Sequence, residues 1–201
     1  LIFRRPPFVK LPEAGAGLGQ AMQEFANDAD MLGTSLTAYA KMAVGDVVGL
    51  GRGGTLVDWE SEAEQRAYAV FYRAEQIINW RVERVNGRNV PTLVVLKETT
   101  SEGRGARGEG RGAEDDFESS LVEQIRVLRL VTGDDGEAFC RVDLWQPKVV
   151  ERSWLGFGRQ RGKTEWVMVA SRVLRRLGRP LPLIPFVFHG PRHSRPDVDR
   201  G

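Results

Sequence analysis

The sequence predicts an α+β fold, with two N-terminal helices packed on a mainly antiparallel sheet built from hairpins. Three observations carry this reading. Two stripes of apolar residues at helical spacing precede residue 50, apolar runs of period two follow residue 55, and Gly-containing turns join several of those runs. Residues 1–14 contain three prolines and few helix signals, and they read as an extended arm. Leu18, Met22, Phe25, Ala29 and Leu32 then recur at steps of four, three, four and three, the stripe of an amphipathic helix. Gly33 suits the C-cap of that helix, and Thr34 or Ser35 the N-cap of the next. The second helix places Leu36, Ala40, Ala43, Val44 and Val47 on one face. It ends in a Gly-rich turn, Gly49 to Gly54, that feeds a strand over Thr55–Trp59.

From there the pattern is mostly β. A short strand is expected at Tyr68–Tyr72, followed by two apolar strands around Asn86-Gly87, the preferred pair for a two-residue type I′ turn. Facing positions in that hairpin sum to 173, so Ile78 and Val95, Trp80 and Leu93, and Val82 and Pro91 should share the core-facing side. Residues 101–116 have almost no apolar content and read as a flexible loop. Strands resume at Glu123–Val131 and Glu137–Trp145 across the turn Thr132–Gly136, and Glu165–Ser171 extends that sheet. Pro182 and Pro185 confine Leu183–Phe188 to an edge strand or an extended strap. Residues 15–190 thus read as one domain with a loop at 101–116, and 191–201 as a loose tail.

The 201 residues suffice for a sizeable core, and no apolar run is long enough to span a bilayer. The opening Leu-Ile-Phe-Arg-Arg-Pro-Pro lacks an initiator Met and reads as the start of a piece cut from a longer protein. Cys140 is the only cysteine, which excludes an intrachain disulfide and favours a buried, inert thiol in a reducing compartment. The net charge of +2 hides an asymmetry. From Lys148 onward twelve Lys/Arg face four Asp/Glu. Such a basic segment can bind nucleic acid, or be neutralised within the fold or between identical subunits.

Chemical motifs fail in turn. Gly49, Gly51 and Gly54 match the dinucleotide fingerprint, but they close a helix and feed a strand, the reverse of the order that cradles a pyrophosphate. His189 and His193 are separated by Gly190 and Pro191, which argues against a helical metal pair. No nucleophile elbow exists, and the paired Asp115-Asp116 falls in the polar loop. The expectation is therefore no catalytic residue, no metal and no cofactor. Arg104, Arg107 and Arg111 are outweighed by neighbouring acids. The stronger candidates for DNA or subunit contact are Arg159, Arg161, Lys163, Arg172, Arg175 and Arg176. Trp154, Phe157 and Trp166 are interleaved among them as stacking groups or core aromatics.

Five separated phrases together resemble an uncharacterised family of tailed phages and prophages that is itself similar to portal proteins. They are Phe3-Arg4-Arg5-Pro6-Pro7, Thr34 to Ala40, Leu50 to Asp58, Ala74 to Arg81, and Leu183 to Phe188. The resemblance covers most of residues 1–98 and then 181–190. It implies a structural component of the virion: a wing-region fragment of a ring-forming portal at the capsid vertex, through which DNA is packaged and ejected. Implied partners are further copies of the chain, the packaging motor, the capsid and head–tail adaptor proteins. Weak, non-specific contact with duplex DNA is also implied, with no membrane and no enzymatic activity. The implied location is the virion, or the host cytoplasm during assembly. Another virion or prophage structural protein, or a nucleic-acid-binding module using the basic C-terminal segment, are the alternatives.

Overall fold

The computed structural model describes residues 3–5, 9–11, 17–60, 64–85, 87–101, 121–134, 136–150 and 163–190. Two helices come first, α1 (Gly17–Asn27) and α2 (Leu36–Leu50). They are followed by β1 (Gly53–Trp59), β2 (Ala67–Arg73), β3 (Ile77–Val85), β4 (Arg88–Ser101) and β5 (Leu121–Thr132). Then come β6 (Ala138–Val150), β7 (Lys163–Val173), β8 (Arg175–Arg176), β9 (Arg179–Pro180) and β10 (Phe186–His189). The α+β expectation is overturned: the chain is mostly β, with three antiparallel sheets and two helices among the described residues. The helical stripes are confined to the first fifty residues, whereas the long strands β3 to β7 set the class. Residues 15–190, read from the sequence as one domain, divide between two compact units. One comprises residues 1–77 and 185–201, the other residues 78–184.

The first unit holds α1, α2 and a three-stranded sheet in the order β10-β1-β2. Ser35 caps α2, its hydroxyl accepting the Ala38 N–H at 3.3 Å. Gly51 ends α2 at φ 82°, donating its N–H to the Val47 carbonyl, as the sequence order of helix, glycine turn and strand requires. α1 stops at Asn27, one turn earlier than its apolar stripe suggests. The cause is local: the Asp28 carboxylate accepts from Gly33 N–H, and the Asp30 carboxylate from the N–H groups of Leu32 and Thr34. These bonds outcompete continuation of the helix. Arg66 locks the connection from the side, its guanidinium donating to both the carbonyl and the carboxylate of Asp28 at 2.7 Å. Leu32, expected on the buried stripe, is 85% exposed, while Ala29 is fully buried with Tyr39 and Ala69, flanked by Phe25, Leu36 and Phe71.

β1 pairs with β2 on one side and β10 on the other, so Leu56 faces both Val70 and Phe186. Of the run Leu183–Phe188, expected as an edge strand or an extended strap, Phe186 to Phe188 enter β10, at the edge of this sheet, and residues 183–185 are not strand. Gly54 lies under the Phe186 ring, where any side chain would collide with it and with Ile77. Phe186 and Ile77 are 4% and 2% exposed, so neither can move aside into solvent.

The second unit is a meander in the order β3-β4-β5-β6-β7, with a bulge in the β6–β7 ladder beside Leu144 and Trp145. Its tightest core is one sheet face, where Val94, Leu128 and Val142 stand in register beside Leu96 and Cys140. Here the expected facing of the first hairpin is corrected in part. On the expected face Leu93 is buried and Trp80, Val82, Pro91 and Val95 are partly buried, but Ile78 is 50% exposed, while Val94 and Leu96, on the opposite face of β4, are fully buried. The reason lies in β5 and β6, whose bulky residues stack on the Val94 face. Gly87 has the positive φ the turn needs, at 78°; Asn86 lies outside the described residues. So do 102–116 of the expected loop and the tail from 191.

Gly54→Ala is expected to destabilise the first unit by about 1–3 kcal/mol through overpacking against Phe186. Thermal unfolding of the variant, compared with a Gly45→Ala control in open space on α2, checks it; equal melting temperatures would refute the close approach.

Candidate functional site

Of the six basic residues singled out from the sequence, Arg159 and Arg161 lie outside the described residues, as do Trp154 and Phe157. Lys163 opens β7 and Arg172 lies near its end, while Arg175 and Arg176 form β8. The fold adds Arg179, which the sequence reading left out of the set. It stands on β9 directly opposite Arg176.

The hairpin that carries Arg175, Arg176 and Arg179 is built from Leu174 to Leu181. Its base is pinned by backbone bonds: Leu174 N–H donates to the Cys140 carbonyl at 2.9 Å, Cys140 N–H to the Leu181 carbonyl at 2.8 Å, and Leu181 N–H to the Leu174 carbonyl at 2.8 Å. Cys140 itself is fully buried, and burial pushes its thiol up to about 12, which removes it as a nucleophile at neutral pH. The thiol packs, and its backbone anchors the hairpin.

At the tip, Leu177 and Gly178 have φ of 51° and 79°, the signs that a type I′ turn demands of both central residues. Glycine adopts this freely. Leucine does not, because its Cβ crowds the backbone in the left-handed region, at a cost of about 1–2 kcal/mol. Leu177 is 95% exposed, so no burial offsets that strain. Arg175 donates across the turn to the Gly178 carbonyl at 2.9 Å. Arg175, Arg176 and Arg179 are all exposed. Trp166, Val167, Met168 and Val169 of β7 are also substantially exposed, so Trp166 is no core aromatic.

A second cluster, absent from the sequence reading, lies in the first unit. The Thr55 hydroxyl sits between the Tyr39 hydroxyl at 2.9 Å and His189 Nε2 at 2.7 Å, and the His189 ring stacks on Phe71. Tyr39 comes from α2, Thr55 from β1 and His189 from β10. A hydroxyl beside an imidazole resembles a nucleophile with its base, but no acceptor among the described residues orients the other ring nitrogen. The cluster works as a tie between three elements. Burial lowers the His189 pKa below its ordinary 6.5 and, as the largest effect, raises that of Tyr39. Its only advance signal in the sequence was His189, considered there as a metal ligand. Among the described residues no group of three or more His, Cys, Asp or Glu could hold a metal.

No known protein family matches this chain, and no curated protein is similar to it.

Two outcomes are expected. Leu177→Asn should raise the melting temperature, because Asn tolerates positive φ and no apolar contact is lost; a lower melting temperature would show that Leu177 packs. His189 binds a proton less readily folded than unfolded. Its contribution to stability is therefore intact above pH 6.5 and is lost as pH falls from 6.5 toward its depressed folded value. Melting curves between pH 7.5 and 5 should fall more steeply for the parent than for His189→Gln; parallel curves would refute this.

Proposed function

We propose that this chain is a structural part of a tailed-phage virion, a fragment of a portal-type subunit whose full-length form assembles into a ring around a DNA channel. The observation that carries the reading is convergence. The five phrases of the resemblance are scattered over the chain, yet each contributes residues to the first unit. Leu50 to Asp58 supplies the Gly51 cap and most of β1, and Leu183 to Phe188 supplies the strand that pairs with it. Thr34 to Ala40 supplies the Ser35 cap and Tyr39, which reaches Thr55 of β1. Ala74 to Arg81 begins with a short 3-10 turn and Ile77, which abuts Gly54. Phe3, of the first phrase, lies beneath Lys41 of α2, whose ammonium is 5.8 Å from the ring centre. Parts of one structural module are expected to pack together in this way.

The role is architectural and not catalytic in this reading. The capsid, the packaging motor and adaptor proteins are its partners, and passing duplex DNA meets it only through weak phosphate contact. The exposed arginines of the second unit suit that contact, because tight binding along a channel would arrest the duplex.

Negative-stain microscopy of the full-length protein is expected to show rings with a central channel. Monodisperse monomers at all concentrations would overturn the proposal. In fluorescence anisotropy, the 201-residue chain should bind labelled duplexes weakly, without sequence preference, and lose them as salt rises. Sequence-selective binding that survives physiological salt would favour a nucleic-acid-binding module instead.

A further inference from the structure

Arg176 and Arg179 are directly opposed across a hairpin with a two-residue turn and share one face of it. Like charges in that position repel. No carboxylate pairs with either side chain among the described residues, and Glu165 is the only acid between positions 152 and 196. The turn that joins them holds an exposed leucine at positive φ. Repulsion, strain and an unburied apolar tip thus coincide on a hairpin whose base is firmly anchored to Cys140. Each choice is locally unfavourable. Such a concentration is expected where a ligand, absent from the isolated chain, supplies the missing stabilisation.

We propose that Arg176 and Arg179 form a phosphate clamp for the backbone of duplex DNA. Two guanidiniums facing one another can each donate paired N–H groups to the oxygens of a phosphodiester, which would convert their repulsion into shared attraction. Arg175, beside Arg176 on β8, adds positive charge to the same hairpin, which favours a ligand with several phosphates over one with a single phosphate. A polymer gains from counterion release at each contact, a gain that a single free phosphate lacks. An anionic lipid surface offers the same headgroup chemistry, and of the hairpin itself only Leu177 could insert; the vesicles in the test below separate the two sources. This deepens the reading above, since the clamp gives the weak duplex contact a definite address.

The test is duplex binding by the 201-residue chain as a function of salt, followed by anisotropy. Arg176→Ala and Arg179→Ala are each expected to reduce the slope of log K against log salt by about 1, and the double variant by about 2. Arg84→Ala, which removes an exposed arginine from β3 of the five-stranded sheet, should leave the slope unchanged. The double lysine variant keeps the charges but not the paired donors, and should restore the slope with weaker binding. Melting temperatures of the alanine variants should equal or exceed the parent's, since a repulsion is removed. An equal loss of slope on Arg84→Ala would overturn the clamp in favour of diffuse charge. Competition by inorganic phosphate at the DNA's own phosphate concentration, or stronger binding to vesicles containing phosphatidylserine, would overturn the duplex as its ligand. Ring formation by the full-length protein is read independently by microscopy, so failure of the clamp and failure of the portal reading are told apart.

Discussion

The first unit depends on one long-range closure, the pairing of β1 with β10. Its two sequence segments are separated by more than a hundred residues that fold as a unit of their own. Bringing the ends together costs entropy that grows only slowly with the length between them, so a short ladder of good quality can hold the closure. The quality comes from Gly54. Because it has no side chain, the Phe186 ring settles on the β1 backbone, beside Tyr72 and Phe188. The His189–Thr55–Tyr39 bonds then fasten α2 to both strands. Remove the close approach and the ladder, the aromatic cluster and the helix tie loosen together.

The second unit solves a different problem. A meander forms from local hairpins and needs no distant closure, but its edge strands are left with unpaired backbone. β7 is one such edge, and the chain leaves it at once into the β8–β9 hairpin. The backbone bonds at Cys140 make that hairpin an extension of the sheet and not a loose loop. Rigid support matters to any function of its arginines, because guanidiniums on a floating loop would relax away from one another. Side-chain bonds linking Glu98 to Arg126 and Gln124, and Gln124 to Gln146, stiffen the opposite end of the same strands.

The sequence by itself determined the local pieces. The Ser35 and Gly51 caps, the strand after the glycine turn, the turn between β5 and β6 and the edge character of β10 all follow from backbone preferences of a few adjacent residues. Such preferences act over four or five positions, so a single sequence displays them. The tertiary structure decided what depends on distant partners. It ended α1 at Asn27 by way of Asp28 and Arg66, buried Val94 and Leu96 and not Ile78, and made the chain mostly β by lengthening and uniting strands. The site divides in the same way. A basic run was visible from composition, but the opposition of Arg176 to Arg179 required the register of a hairpin whose turn is formed by Leu177, a residue that no turn preference would select. The contact between Thr55 and His189 was illegible for a simpler reason: hydrogen bonds between side chains so far apart leave no spacing in the chain to read.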